Sequence, residues 1–189
     1  MAHRTKSGIT VQAGPRMILQ RPQMAALLGT VAAEWSLLER WITSLYAYLM
    51  GVYLPRTPGF FPPVHPVALQ VFDTLQTLHL RLELLTKLAD WVVKDDGLRE
   101  ELKGPVVASI RRAAKDRNKW VHAQWGIAPE YPDSLIFMPT FGHQLVVSES
   151  DLNEAIDRII GARDVIGKLE TRVRDSIDGI RTGDDSRPL

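Results

Sequence analysis

Arg117 and His122 stand five positions apart in the run Arg117-Asn118-Lys119-Trp120-Val121-His122, the segment of this chain whose residue types could do chemistry. An imidazole titrates near neutrality and can take or give a proton. A guanidinium presents a planar fork of donors to oxyanions. Arg111, Arg112, Lys115 and Lys119 add positive charge within the same stretch. On a helix of roughly 100° per residue, Asn118 and His122 are one turn apart and share a face. Arg117 falls instead within an apolar stripe with Ile110, Ala114 and Val121. The stripe faces a core, so Arg117 is predicted to be at least partly buried and to need a partner there. Glu34 and Glu39, at the margins of the first helix's stripe, are the candidates. A plainer reading stands beside this one: an arginine in a helix stripe paired with a glutamate is commonly a structural ion pair, and such networks also perturb ionisable groups.

Other constellations carry less. His3, His65, His79 and His143 are scattered, no histidine pair has i,i+4 spacing, and no Glu-x-x-His occurs, so no metal site and no cofactor are expected. The glycine-rich phosphate loops and the nucleophile-elbow pattern are also missing. Trp41, Tyr46, Tyr48 and Tyr53 gather toward the end of the first helix, either to pack against the following loop or to offer a partner- or base-stacking surface. Arg158, Arg163, Arg172 and Arg174 interleave with acids late in the chain, which reads as a solvated helix face.

Four long segments must position the Arg117–His122 run. Leu27, Val31, Trp35, Leu38, Ile42, Leu45 and Leu49 recur at spacings that place one apolar stripe on a helix over Met24–Met50. Prolines at 55, 58, 62, 63 and 66 make 51–66 a rigid loop. A second helix is predicted over Pro66–Val93, ended by Asp95-Asp96-Gly97, and a short helical piece over Leu98–Lys103. A third is predicted from Pro105 to Trp125, with Gly126 as the glycine that ends it. Leu135–Met138 and Gln144–Val147, set among prolines and Gly142, read as a small β-hairpin between the third and fourth long helices. The fourth begins near Ser150 or Asp151, with Ser148, Ser150 and Asp151 as capping residues. The expected organisation is a flexible arm over 1–22, a single mainly all-α bundle domain over 23–181 and a disordered tail over 182–189.

Composition bounds the function classes. With 189 residues, 45% hydrophobic and 24% charged, the chain has the balance of an ordinary globular domain. Lys+Arg number 23 against 22 Asp+Glu, so any affinity for phosphate must come from a local patch rather than from net charge. No cysteine is present, which removes disulfides, thiolate zinc sites and cysteine nucleophiles and fits a reducing compartment. The polar opening Met1–Gly8 suggests no signal peptide, and no apolar run is long enough for a membrane span, so a cytoplasmic location and no membrane partner are expected.

Arg-Asn-x-x-x-His late in the third long helix of a four-helix domain resembles the Arg-x4-6-His motif of the HEPN superfamily. Ala114–Gly126 is similar to uncharacterised bacterial members, and Glu34-Trp35 and Leu38-Glu39 resemble their opening helix. In architecture the resemblance covers 24–180, and it is specific over Lys115–Gly126. Ala123 departs from it where glycine is common, and the loop 51–66 and the hairpin are not general features of the family. The resemblance implies a HEPN-like four-helix bundle and a metal-independent endoribonuclease of toxin or defence type, working as a homodimer. It would act on RNA, with an antitoxin-type protein as a further partner. It gives His122 as general acid/base, Arg117 as phosphate stabiliser and Asn118 as a positioning residue, with Lys115, Lys119 and Arg111 as substrate-binding cations. The alternative is a non-catalytic helical dimerisation or interaction domain, a role that the family also includes.

Overall fold

The structure, a computed structural model, describes residues 2–6, 8–14, 16–51 and 66–184. The proline-rich loop, with Tyr53 and His65, and the last five residues of the expected tail lie outside these residues.

The apolar stripes build most of the chain into helix. Helix α1 (Pro22–Gly51) opens on a proline, whose missing N–H costs nothing in a first turn. Its stripe residues Val31, Trp35, Leu38, Ile42, Leu45 and Leu49 are all buried. The single helix expected over Pro66–Val93 is two: α2 (Pro66–Thr74) and α3 (Leu78–Val92). The Thr77 side chain caps α3 by accepting from Leu80 N, and Arg81 Nε reaches back to the Leu75 carbonyl. These side chains satisfy backbone groups that would otherwise have to continue the helix. Asp95 caps α4 (Asp96–Glu101) through the Leu98 N–H.

Gly104-Pro105 does not separate two helices as expected. The chain runs on from α4 through a π-helical turn, Leu102–Val106, into α5 (Val107–Val121). The wider turn accommodates Pro105, which lacks an N–H and would crowd a regular helix. Helix α5 also stops earlier than predicted, at Val121, and Trp125 and Gly126 belong to a strand. The long helix α6 (Glu149–Asp184) starts where its caps place it. Ser148 donates to Asp151 Oδ2 from both its N–H (2.9 Å) and its hydroxyl (2.7 Å), and Asp151 N–H points back to Ser148 Oγ. This is a reciprocal capping box.

Packing divides the chain into two compact units, 1–37 with 111–161 and 38–110 with 162–189. The first holds an antiparallel sheet in the order β1-β5-β4-β3-β2, where β1 is His3–Arg4, β2 Gln12–Ala13, β3 Gln124–Ile127, β4 Leu135–Met138 and β5 Leu145–Val147. The expected hairpin is therefore three central strands. The arm expected to be free supplies both outer ones, pairing His3 with Val146 and Gln12 with Ile127. One sheet face joins Met24, Trp120, Leu152 and Ala155 in a core through Trp125, Ile127, Leu135 and Val147. The other face, with Ile136 and Val146, is covered by Ile9 and Val11 of the arm. Gly126 is needed for that close approach. A Cβ there would stand 2.5 Å from Val11 Cγ1 and 3.0 Å from the Gln12 carbonyl oxygen.

In the second unit, Tyr46 stacks on Phe72 with ring centroids 4.1 Å apart. Glu170, only 2% exposed, accepts from Ser44 Oγ at 3.0 Å and pairs with Arg174, whose guanidinium lies over the Tyr48 ring. The late arginines are thus not a uniformly solvated face: Arg174 neutralises a buried carboxylate, and Arg172 pairs with Glu101.

Asp151 links the first unit's fold to pH. Burial would raise its pKa, but the two Ser148 hydrogen bonds help to outweigh that, and the net shift is downward. A carboxyl whose folded pKa lies below its unfolded value, near 3.9, contributes stability that is present above about pH 4 and fades as pH falls through the folded pKa. Asp151→Asn is therefore expected to be less stable than wild type near neutrality, with the gap closing in the acid. Denaturant unfolding from pH 6 downward checks this, and a gap that stays constant would count against it.

Candidate functional site

The end of α5 is fixed by aromatic packing. Trp120 is 3% exposed and Trp125 6%. Their rings lie 6.1 Å apart at 25°, and Phe137 meets both edge-on at 6.0 Å. Trp125 sits opposite Phe137 in the β3–β4 register. The two residues between Val121 and Gln124 are thus held at both ends by side chains locked in one core. His122 is the first of them, exposed at the turn that leaves the helix.

That turn brings Arg117, which helical projection had set apart, together with Asn118 and His122. Arg117 Nη1 donates to Asn118 Oδ1 at 3.0 Å and lies 2.8 Å from His122 Nε2. A guanidinium can only donate, so Nε2 is the acceptor, which assigns the proton of the neutral ring to Nδ1. Arg117 is half-buried: its Cζ lies over the Trp35 ring at 5.9 Å and its Nε is buried with no acceptor among the described residues. Among the described residues its partners are Asn118, His122 and Trp35, with no ion pair to Glu34 or Glu39. The stem leans inward as predicted, while the tip comes out to meet the imidazole.

The neighbouring cations differ. Arg111 and Lys115 are exposed and share with Asn118 one face of α5 at i, i+4 and i+7. Lys119 is held elsewhere. Its Nζ sits 3.9 Å from the Trp120 ring centroid, and burial, partly opposed by Asp116 and Asp151, lowers its pKa. It is less suited to phosphate than Arg111 or Lys115. Asp116 accepts from Arg158 Nε of α6 at 2.5 Å, while Arg158 Nη1 reaches Glu154. These bonds pin α5 immediately before Arg117.

Sequence reasoning missed Trp35 as a platform and Asp116–Arg158 as an anchor. Trp35 was legible only as a stripe residue, and Asp116 only as one acid among cations; their pairing is a long-range fact. Among the described residues, no group of three or more histidines and acids gathers to hold a metal, and no helix is long and apolar enough to cross a membrane. Compared with family models, with curated proteins and with solved structures, the chain matches none.

Proposed function

We propose that this chain is a HEPN-like, metal-independent endoribonuclease with Arg117, Asn118 and His122 as its active residues. The observation that carries the reading is the exposed hydrogen-bonded cluster in which one guanidinium nitrogen reaches both Asn118 Oδ1 and His122 Nε2. In the resting arrangement Arg117 occupies the lone pair with which a neutral His122 would accept a proton. When RNA binds, Arg117 turns to a phosphate oxygen and frees Nε2. His122 takes the proton of a ribose 2′-hydroxyl, the 2′-oxygen bonds to phosphorus and the P–O5′ bond breaks. The departing 5′-oxygen receives a proton from the imidazolium or from water, leaving a 2′,3′-cyclic phosphate and a 5′-hydroxyl. Arg111 and Lys115 hold neighbouring phosphates, and Asn118 keeps the guanidinium in place. Work as a homodimer, a toxin or defence role and control by an antitoxin-type protein belong to the same reading. The test is cleavage of mixed RNA in excess chelator, with end-group analysis of the products. Cyclic phosphate ends that persist in chelator support the reading, and intact RNA over a wide range of enzyme overturns it.

A second reading, a non-catalytic interaction domain, is favoured by one observation: Arg117 is set over Trp35 with Nε sealed, as a scaffold residue would be. On that reading RNA stays intact, and the Arg117 cluster serves only to fix the α5–β3 turn.

A further inference from the structure

Beside the Arg117–His122 cluster, within the first unit, lies a cavity of about 680 Å³. Small-molecule sites fall in the range of roughly 300–1,000 Å³. Its wall includes Trp120, Val121, Ala123, Gln124 and Trp125, so the residues on both sides of His122 line it. Consecutive Cα atoms are about 3.8 Å apart, which places the His122 backbone at the cavity's edge.

Two features of the wall bear on what it could hold. Gly29 lies in the interior of α1, where glycine is a poor helix former. No packing demands it, since a Cβ there would meet no atom within 4 Å. Gly29 is exposed and lines the cavity, so a side chain there would stand in its open space. The second feature is unused hydrogen-bonding capacity. The exposed Gln124 amide, at the cavity wall, has no hydrogen-bond partner among the described residues. Among the described residues, no charged side chain lines the cavity.

We propose that this cavity holds a nucleobase. The apolar, aromatic wall suits a flat uncharged ring, and a glutamine amide offers the donor and acceptor with which a base edge is read. The adjoining Arg117, with Arg111 and Lys115 along α5, suits the phosphate joined to that base. The ligand class rests on the RNA reading given above, but binding is measured without turnover, so the two can fail separately.

Intrinsic tryptophan fluorescence of the full chain would be titrated with AMP, GMP, CMP and UMP, and with ribose 5-phosphate as the control lacking a base. At least one nucleotide is expected to saturate, with ribose 5-phosphate weaker by about tenfold or more. Gly29→Leu fills the cavity from a favourable helix position and is expected to weaken that nucleotide by about tenfold or more without lowering the melting temperature. Gln124→Leu is expected to alter the ranking of the bases, and it carries the test if Gly29→Leu does not fold. A short oligoribonucleotide run alongside separates the sources: tighter binding than the monophosphates marks a base within RNA, and weaker binding marks a free nucleotide. Ribose 5-phosphate binding as well as the nucleotides, or wild-type affinity in both variants, overturns the proposal. Cleavage of RNA without base-dependent binding overturns the cavity alone, and base-dependent binding without cleavage overturns only the nuclease.

Discussion

His122→Ala is expected to lower the rate of RNA cleavage by a factor of about 10²–10⁴, the usual weight of a positioned proton-transfer group. Its unfolding midpoint should stay near wild type, because His122 is exposed and its bond to Arg117 lies at the surface. Arg117→Ala is expected to show a loss of similar size, and the double variant little more than either single one, since groups that act as a unit are not additive. Arg117→Ala should also cost only about 1–2 kcal/mol of stability, the worth of two exposed hydrogen bonds and one ring contact. An arginine sealed against a glutamate would cost about 3–5 kcal/mol instead, so the two roles separate on one denaturation curve. Cleavage by His122→Ala at the wild-type rate would remove the catalytic assignment. Full activity in Arg117→Ala would leave Arg117 a scaffold residue.

Trp120→Ala is expected to have the largest effect on folding, a loss of about 3–5 kcal/mol. Trp120 is 3% exposed and meets Trp125 and Phe137, so its removal empties the core that joins α5 to the sheet. The same change releases the turn that carries His122, and activity should fall by more than the unfolded fraction accounts for. Urea unfolding and the specific activity of the remaining folded protein check the two parts. A variant with wild-type stability would show that the aromatic cluster does not set the turn.

Local pattern and long-range pairing contributed differently to what was legible. The α1 stripe and the Ser148–Asp151 cap are local, since spacing and capping chemistry lie within a few residues of one another, and both appear in the structure. The end of α5 is not local. Val121 and Trp125 are four apart, a spacing that fits a helix, but Trp125 is drawn into β3 by its pairing with Phe137. That shift explains the misreading of the candidate site. Helical projection turned Arg117 away from His122, whereas a helix that ends at Val121 lets the next residue fold back to the guanidinium. The arm hid its strands for the same reason. Two-residue strands leave no periodicity to read, and they exist only because β3 and β5 offer them edges.

Those outer strands bear on when the first unit can close during synthesis. His3 pairs with Val146, so closing the sheet requires synthesis to have passed Val146. Contacts this distant in sequence are formed late and slowly. Ala13 and Gly14 of the arm also line the cavity beside His122. A nascent chain therefore carries Arg117 and His122 before the sheet beside them can close.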